Sequence, residues 1–429
     1  MSYDLQFLVN LAKSCSPFYK KLYAELPQNF KLQDIPVIDP LVFDEAVRDP
    51  MNNSLLTRPE RGLVLKSGGT TGGPKYTFYS KEEWEHFSRL AGSLHDKYEI
   101  IKNGDRLMYL LGCGNLYGGM FLGYQVQMFS QSDTLILLQG HQSPLDDILK
   151  TLQYFSPNII FSPAPTFIKI IQKIQEQKLQ NIRVDRYLIC GDLIQVEQYE
   201  AIKEFFPNII INNDFYASTD AGFIGFSDPD CGLNEFREFK EYAEIEIIDG
   251  DGQLIELENK EGNIISTNYT RTLMPVIRYP VGDIGYWCEP KESKNRKFKL
   301  TGRAIFKEKI ISLVGCAVDY YVIRNAITTC EAYSKIDVFQ VIIDTKNNKD
   351  RLIINYTTNK LDADQRKKFE NEVIDNIYNH YPDLKEIIEE DKLNPFEIKH
   401  VGYMDLDYNP LSSKLNRLTD YRNSTKNNI

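Results

Sequence analysis

The stretch with the plainest chemistry is Ser67 to Lys75, SGGTTGGPK. Four glycines let the backbone turn its amides toward one point, two adjacent threonines add hydroxyl donors, and a lysine supplies positive charge at the exit. A polyphosphate asks for this combination. The stretch is not a P-loop, although the spacing from Gly68 to Gly73 fits one. Pro74 stands where that motif has its lysine, and Tyr76 replaces the hydroxyl that would hold magnesium. Because ordinary surface loops share this Gly, Pro and Thr content, the reading depends on companions elsewhere in the chain.

Four such companions follow in order. DFYASTDAG (Asp214 to Gly222) comes directly after an apolar run of strand length, where ligands of open α/β sheets gather. YPVGDIGYW (Tyr279 to Trp287) sets a carboxylate on a Gly-Asp turn, and its two adjacent oxygens suit a pair of sugar hydroxyls. TGR (Thr301 to Arg303) offers a planar, permanently charged fork. NPLSSKLNRLTDYR (Asn409 to Arg422) presents Lys414 near the end of the chain. A rival pattern, GCGNLYG (Gly112 to Gly118) with Asp133, approximates a dinucleotide fingerprint and an oxidoreductase. Its glycine spacing is off by one, and Asp133 precedes the next apolar strand instead of ending it.

The elements that must position these residues come in two rhythms. From Arg106 to Ile211, short apolar runs (RLMYLL, TLILL, NIIF, YLICG, NIII) alternate with helical faces such as Phe167, Ile170, Ile171 and Ile174. That alternation predicts a mostly parallel sheet covered on both faces. From Ala243, period-two EIEII, the turn signal DGDG and NIIST predict an antiparallel section with a hairpin at Asp249 to Gly252. Beyond Gly302 a helix near Tyr320 to Ala326, the strands KIDVFQVII and RLIINY, an amphipathic helix from Ala363 to His380 and the strand FEIKHV describe a small α+β domain. The opening 60 residues read as helical with proline-marked turns. The expected fold is α/β, with a large N-terminal domain over residues 1–301 and a small mobile C-terminal domain over 302–429 that carries Lys414.

Composition narrows the function classes. With 42% hydrophobic and 26% charged residues the chain is of the soluble globular kind, and no apolar run approaches the roughly 20 residues of a membrane span. The N-terminus lacks the continuous apolar core of a secretory signal, so the expected location is cytoplasmic. A net charge of −10 without a basic stripe argues against a nucleic-acid partner. Seven dispersed cysteines and five histidines show no zinc spacing and fit reduced thiols.

The five stretches together resemble the signatures of the adenylate-forming superfamily of acyl-CoA synthetases and adenylation domains. LMPVIRY (Leu273 to Tyr279) and SPFYKKLYAEL (Ser16 to Leu26) resemble its phenylacetate-CoA ligase branch. The resemblance implies an ATP-dependent acid–thiol ligase. A carboxylate attacks the α-phosphate of ATP, releasing pyrophosphate, and a thiol then displaces AMP. It implies that Ser67, Gly68, Gly69, Thr70, Thr71, Gly72 and Lys75 cradle phosphate, and that Tyr216 stacks on adenine within a nucleotide site that includes Gly191, Asp192, Asp214 and Ala217. Thr219 contacts the α-phosphate, Asp220 helps hold magnesium, Asp283 binds ribose and Arg303 reaches the nucleotide. Lys414 acts catalytically at the α-phosphate and the acyl carboxylate. Tyr117, Gly118, Gly119, Phe161 and Phe215 are the expected walls of the acid pocket, and without an acidic wall residue an aryl or hydrophobic acid is preferred. The implied cofactors are ATP, Mg2+ and coenzyme A, or a carrier protein's phosphopantetheine arm; the oligomeric state is left open, a homodimer included. The sequence departs from the family's pattern at Asp220 (usually Glu), Pro280, Ile305 and Ser413, which keeps a non-catalytic nucleotide-binding protein of the same fold as an alternative.

Overall fold

A computed structural model describes residues 2–47, 49–59, 61–67, 75–303, 310–313, 316–408 and 415–422. The chain opens on α1 (Leu5–Cys15) and α2 (Pro17–Leu22), whose caps Asp4 and Ser16 accept the Phe7 and Tyr19 N–H groups. Leu8, Val9 and Ala12 share one face of α1 and are fully buried. After α3 (Pro40–Ala46) comes an antiparallel hairpin of β1 (Leu63–Lys66) and β2 (Tyr76–Tyr79), in which Lys66 lies opposite Tyr76. Ser80 and Glu83 form a capping box at the start of α4 (Lys81–Lys97).

The expected alternation follows. β3 (Arg106–Tyr109), α5 (Gly119–Phe129), β4 (Leu135–Leu138), β5 (Ile159–Ser162), β6 (Arg186–Ile189) and β7 (Ile210–Asn213) give a five-stranded sheet in the order β4-β3-β5-β6-β7, parallel at each pairing. Every residue of β5 is buried, as helices on both faces require.

The second sheet is antiparallel and seven-stranded, in the order β11-β12-β13-β14-β10-β9-β8. Its strands are β8 (Phe215–Ser218), β9 (Gly222–Phe226), β10 (Glu235–Glu238), β11 (Ala243–Ile248), β12 (Gly262–Asn268), β13 (Val276–Trp287) and β14 (Lys297–Arg303). The DGDG turn forms, with Asp249 Oδ1 accepting from the Asp251 and Gln253 amides. The expected hairpin is nonetheless only a single bridge, Ile248 to Leu254, because the regular partner of β11 is the more distant β12. A wide irregularity sits in β13: Ile265 of β12 faces Pro280 and Asn263 faces Ile284, with Gly282 between them at φ +86°.

By contact density the chain forms two compact units, a larger one comprising Met1–Ile194 with Ala201–Ala304 and a smaller one built mainly on Ile305–Asn409. The smaller unit holds a four-stranded mixed sheet with Val338–Lys346 and Lys349–Thr357 at its centre, flanked by Leu418–Asp420 and Glu397–His400. Phe369, Val373 and Ile377 of the helix Ala363–His380 are buried in its core. Among the described residues no helix is long and apolar enough to cross a membrane, and Cys15, Cys113, Cys190, Cys231, Cys288 and Cys330 are free thiols.

Candidate active site

The candidate residues of the larger unit collect where β2, the β8–β9 turn and β13 meet. The neck of the glycine stretch is closed twice, by Ser67 N–H to the Lys75 carbonyl at 3.0 Å and by Lys75 N–H to Ser67 Oγ at 3.2 Å. Ser67 Oγ therefore accepts a bond at the neck. Gly68, Gly69, Thr70, Thr71 and Gly72 lie outside the described residues, as do Lys414 and Ser413. The neck is also tied to the Gly112–Gly118 segment. Lys66 Nζ donates to Asn115 Oδ1 at 2.7 Å, Lys66 N–H donates to the Leu116 carbonyl, and a Cβ on Gly118 would lie 2.7 Å from Leu65.

Lys75 is held by three oxygens. Its Nζ lies 2.7 Å from Asp44 Oδ1, 3.3 Å from the Tyr279 hydroxyl and 3.6 Å from Asp220 Oδ2. Asp220, buried in the β8–β9 turn, accepts from Thr77 Oγ1 at 3.0 Å and from the Tyr279 hydroxyl at 3.1 Å. Backbone groups of the same turn are fixed from behind: Tyr79 donates its hydroxyl to the Thr219 carbonyl, and Arg271 donates to the Asp220 carbonyl. Arg271 is fully buried, stacks on Tyr79 and pairs with Glu83. Neither Asp44 nor Arg271 is suggested by any motif, since only packing brings them to the site.

On the sugar side, the Tyr216 hydroxyl donates to Asp283 Oδ2 at 2.6 Å. The Tyr216 ring is 7% exposed and packs on Phe236 and Phe298. In this structure it braces Asp283 from within the core and does not offer an open face for stacking, because β8 turns this side chain toward the sheet's apolar layer. Asp283 stands opposite Arg303 across β13 and β14, and the exposed Ala217 lies on β8.

At the C-terminal ends of the parallel strands, Gly191 adopts φ +83° with open space where a Cβ would be, and Asp192 caps the Leu193 amide. Asp214 is engaged on both oxygens, by His95 Nε2 at 2.8 Å and by Cys190 Sγ at 3.7 Å. Gln127 Nε2 lies 3.1 Å from His95 Nδ1, so both ring nitrogens of His95 have a polar neighbour. Burial and the neighbouring Asp214 push the Cys190 thiol well up, so it is not a thiolate nucleophile. His95 stacks on Phe215, while Phe161 is fully buried and stacked on Tyr109. Phe161 is thus a core residue here, its face covered by Tyr109 of β3. Tyr117 and Gly118 are half-buried and Gly119 is exposed at the start of α5. An open cleft of about 610 Å³ lies beside α5, lined by Cys113, Met120, Phe121, Tyr124 and Leu138 and by none of the expected pocket walls.

The rival dinucleotide reading fails on geometry. The Asp133 carbonyl accepts the Gly104 N–H just before β3, whereas Gly112 to Gly118 follow the other end of that strand. A fingerprint acid belongs at the same end as the glycines.

No family model matches the chain. It is 22% identical over 374 residues to the indoleacetate–lysine synthetase of Pseudomonas savastanoi, covering 84% of this chain and 85% of that protein. It is 25% identical over 287 residues to the phenylacetate–coenzyme A ligase of Thermus thermophilus, covering 63% of this chain and 61% of that protein. Among solved structures, 2-hydroxyisobutyryl-CoA ligase in the postadenylation state with 2-HIB-AMP superposes with a TM-score of 0.67 at 15% identity, over 97% of this chain and 88% of that one. At that identity the likeness is one of fold.

Proposed function

We propose that this chain, whose fold is that of the adenylate-forming enzymes, is a cytoplasmic ATP-dependent ligase that adenylates a carboxylic acid and passes the acyl group to an acceptor. The observation that carries this reading is the meeting of Lys75, Asp220 and Tyr279, from three separate sequence motifs, within hydrogen-bonding or ion-pairing distance. Lys75 would offset charge on the leaving pyrophosphate, Asp283 with its Tyr216 brace would accept the ribose hydroxyls, and Lys414 would act at the α-phosphate. Little covalent work falls to the protein, so catalysis is positioning plus charge neutralisation.

Among the described residues no group of three or more His, Cys, Asp or Glu would hold a metal unaided. The hard oxygens of Asp220 suit magnesium, which keeps several waters and takes its remaining ligands from phosphates. Bound there, magnesium would supply charge neutralisation at the phosphates.

The favoured acid is aryl or hydrophobic, in keeping with the arylacetate names of both curated relatives. The favoured acceptor is a thiol, coenzyme A or a carrier's phosphopantetheine. An amine acceptor is the second reading, because the relative matched over most of this chain is an acid–lysine synthetase. Pyrophosphate release with ATP, magnesium and a panel of aryl and medium-chain acids tests the first half, and adding coenzyme A or lysine tests the second. Release should depend on acid. Lys414→Ala should slow it about 10²-fold and spare acyl transfer from supplied acyl-adenylate; equal loss in both halves would refute the role given to Lys414. Nucleotide binding without acid-dependent release would instead identify a non-catalytic binding protein.

A further inference from the structure

The geometry points to Asp44 as a positioning residue that holds Lys75 in reserve and sets how tightly the site takes pyrophosphate. This inference rests on the reading of Lys75 as a phosphate ligand. Three protein oxygens surround the Lys75 ammonium, and that of Asp44, an ion-pair contact at 2.7 Å, is the nearest. Asp44 is carried on a fixed support. Its neighbours on either side of the turn, Phe43 and Val47, are fully buried, the Phe43 ring lies 4.5 Å from that of Tyr279, and the Val47 carbonyl accepts the Tyr76 N–H. Lys75, by contrast, reaches Asp44 with a long flexible side chain from the neck of the glycine stretch.

Two consequences follow from this asymmetry. A phosphate that takes Lys75 must draw it away from a carboxylate that cannot follow. In addition, Asp44 and Asp220 together place two negative charges around one positive charge, so the cluster carries a net negative charge that opposes an incoming anion. Asp44 would therefore weaken pyrophosphate binding and recapture the lysine as pyrophosphate leaves. The bland alternative is a partly exposed ion pair that adds a little stability. That alternative predicts no gain in anion affinity and no dependence on Lys75.

The test is calorimetric titration of the full-length chain with pyrophosphate in excess magnesium, for the wild type, Asp44→Asn, Lys75→Met and the double variant. Removing the charge of Asp44 should tighten pyrophosphate binding about two- to fivefold, the upper part of the range for losing a partly exposed ion-pair partner. The same change should vanish when Lys75 is already methionine. Inhibition of the forward reaction by pyrophosphate should strengthen by the same factor. Should Asp44→Asn fold poorly, Asp44→Ser carries the same prediction. Unchanged or weaker binding by the Asp44 variant, or equal tightening with and without Lys75, would overturn the proposal. A wild type that binds no pyrophosphate would remove the phosphate reading itself, and this inference with it.

Discussion

Glu83 is a severe test of how the site is held. Its Oε1 accepts from the Thr272 N–H at 2.5 Å, the Leu273 N–H at 2.7 Å and the Thr272 hydroxyl at 2.9 Å, while Oε2 accepts from the Ser80 N–H at 2.9 Å and lies 3.8 Å from Arg271 Nε. Glu83→Ala leaves these donors without a carboxylate and strips the buried Arg271 of its counter-charge. An orphaned buried donor costs about 1–3 kcal/mol and an uncompensated buried charge about 3–5 kcal/mol. These terms overlap once the backbone relaxes, so we expect a loss of about 4–5 kcal/mol, a large part of the ~5–15 kcal/mol that a protein ordinarily has. Glu83→Gln keeps one acceptor oxygen and should lose about half as much. Urea unfolding followed by tryptophan fluorescence is the assay, because both tryptophans, Trp84 and Trp287, belong to the larger unit and report on it alone. With a slope of ~3 kcal/mol per molar the midpoint should fall by about 1.5 M. A shift for Glu83→Ala of less than about 0.3 M would refute the reasoning, since it would mean that the donors find water or other partners at no cost.

Three further outcomes are expected. Asp283→Asn should weaken ATP binding about 10²-fold, as charged-acceptor bonds of ~1.5–3 kcal/mol are lost. Tyr216→Phe should weaken it about tenfold, with much less than additive loss in the double variant; additivity in the titrations would show that Tyr216 does not act through Asp283. Burial pushes the Glu238 carboxyl up from its ordinary 4.5 to about 7. The folded state therefore binds more protons than the unfolded state, and stability falls as pH rises from about 4.5 to about 7. Glu238→Gln, neutral throughout, should gain on the wild type across that window by up to about 3 kcal/mol, read as the pH dependence of the unfolding midpoint. A pH-independent difference would place the group's titration elsewhere.

The architecture was legible where periodicity is the cause of structure. Apolar runs of strand length between helical faces gave away β3 to β7, and period-two EIEII marked β11. The site was legible only along the chain. Lys75, Asp220 and Asp283 stood in motifs, but Asp44 reaches Lys75 through the packing of Phe43 on Tyr279, which no local pattern encodes. His95 looks like one polar residue of an amphipathic helix, and its partner Asp214 is 119 residues away. The pattern Ser80 to Glu83 carries a capping-box signal, yet the second role of Glu83 depends on chain that returns 190 residues later. Tyr216 is a case of motif without orientation: the residue type suggested stacking, while the pleat of β8 decided which way the ring faces.

The irregularity in β13 gives the sugar side a different kind of encoding. Between the Asn263–Ile284 and Ile265–Pro280 pairs, β12 advances two residues while β13 advances four. The surplus stretch, with Gly282 in a left-handed conformation, lifts Asp283 out of the ordinary up-and-down alternation of a strand. Its aim is therefore a matter of residue number as well as residue type. Deleting a single residue between Pro280 and Ile284 would change the surplus from two to one and re-aim the carboxylate without altering any ligand. Length, in this segment, is what the fold has to keep.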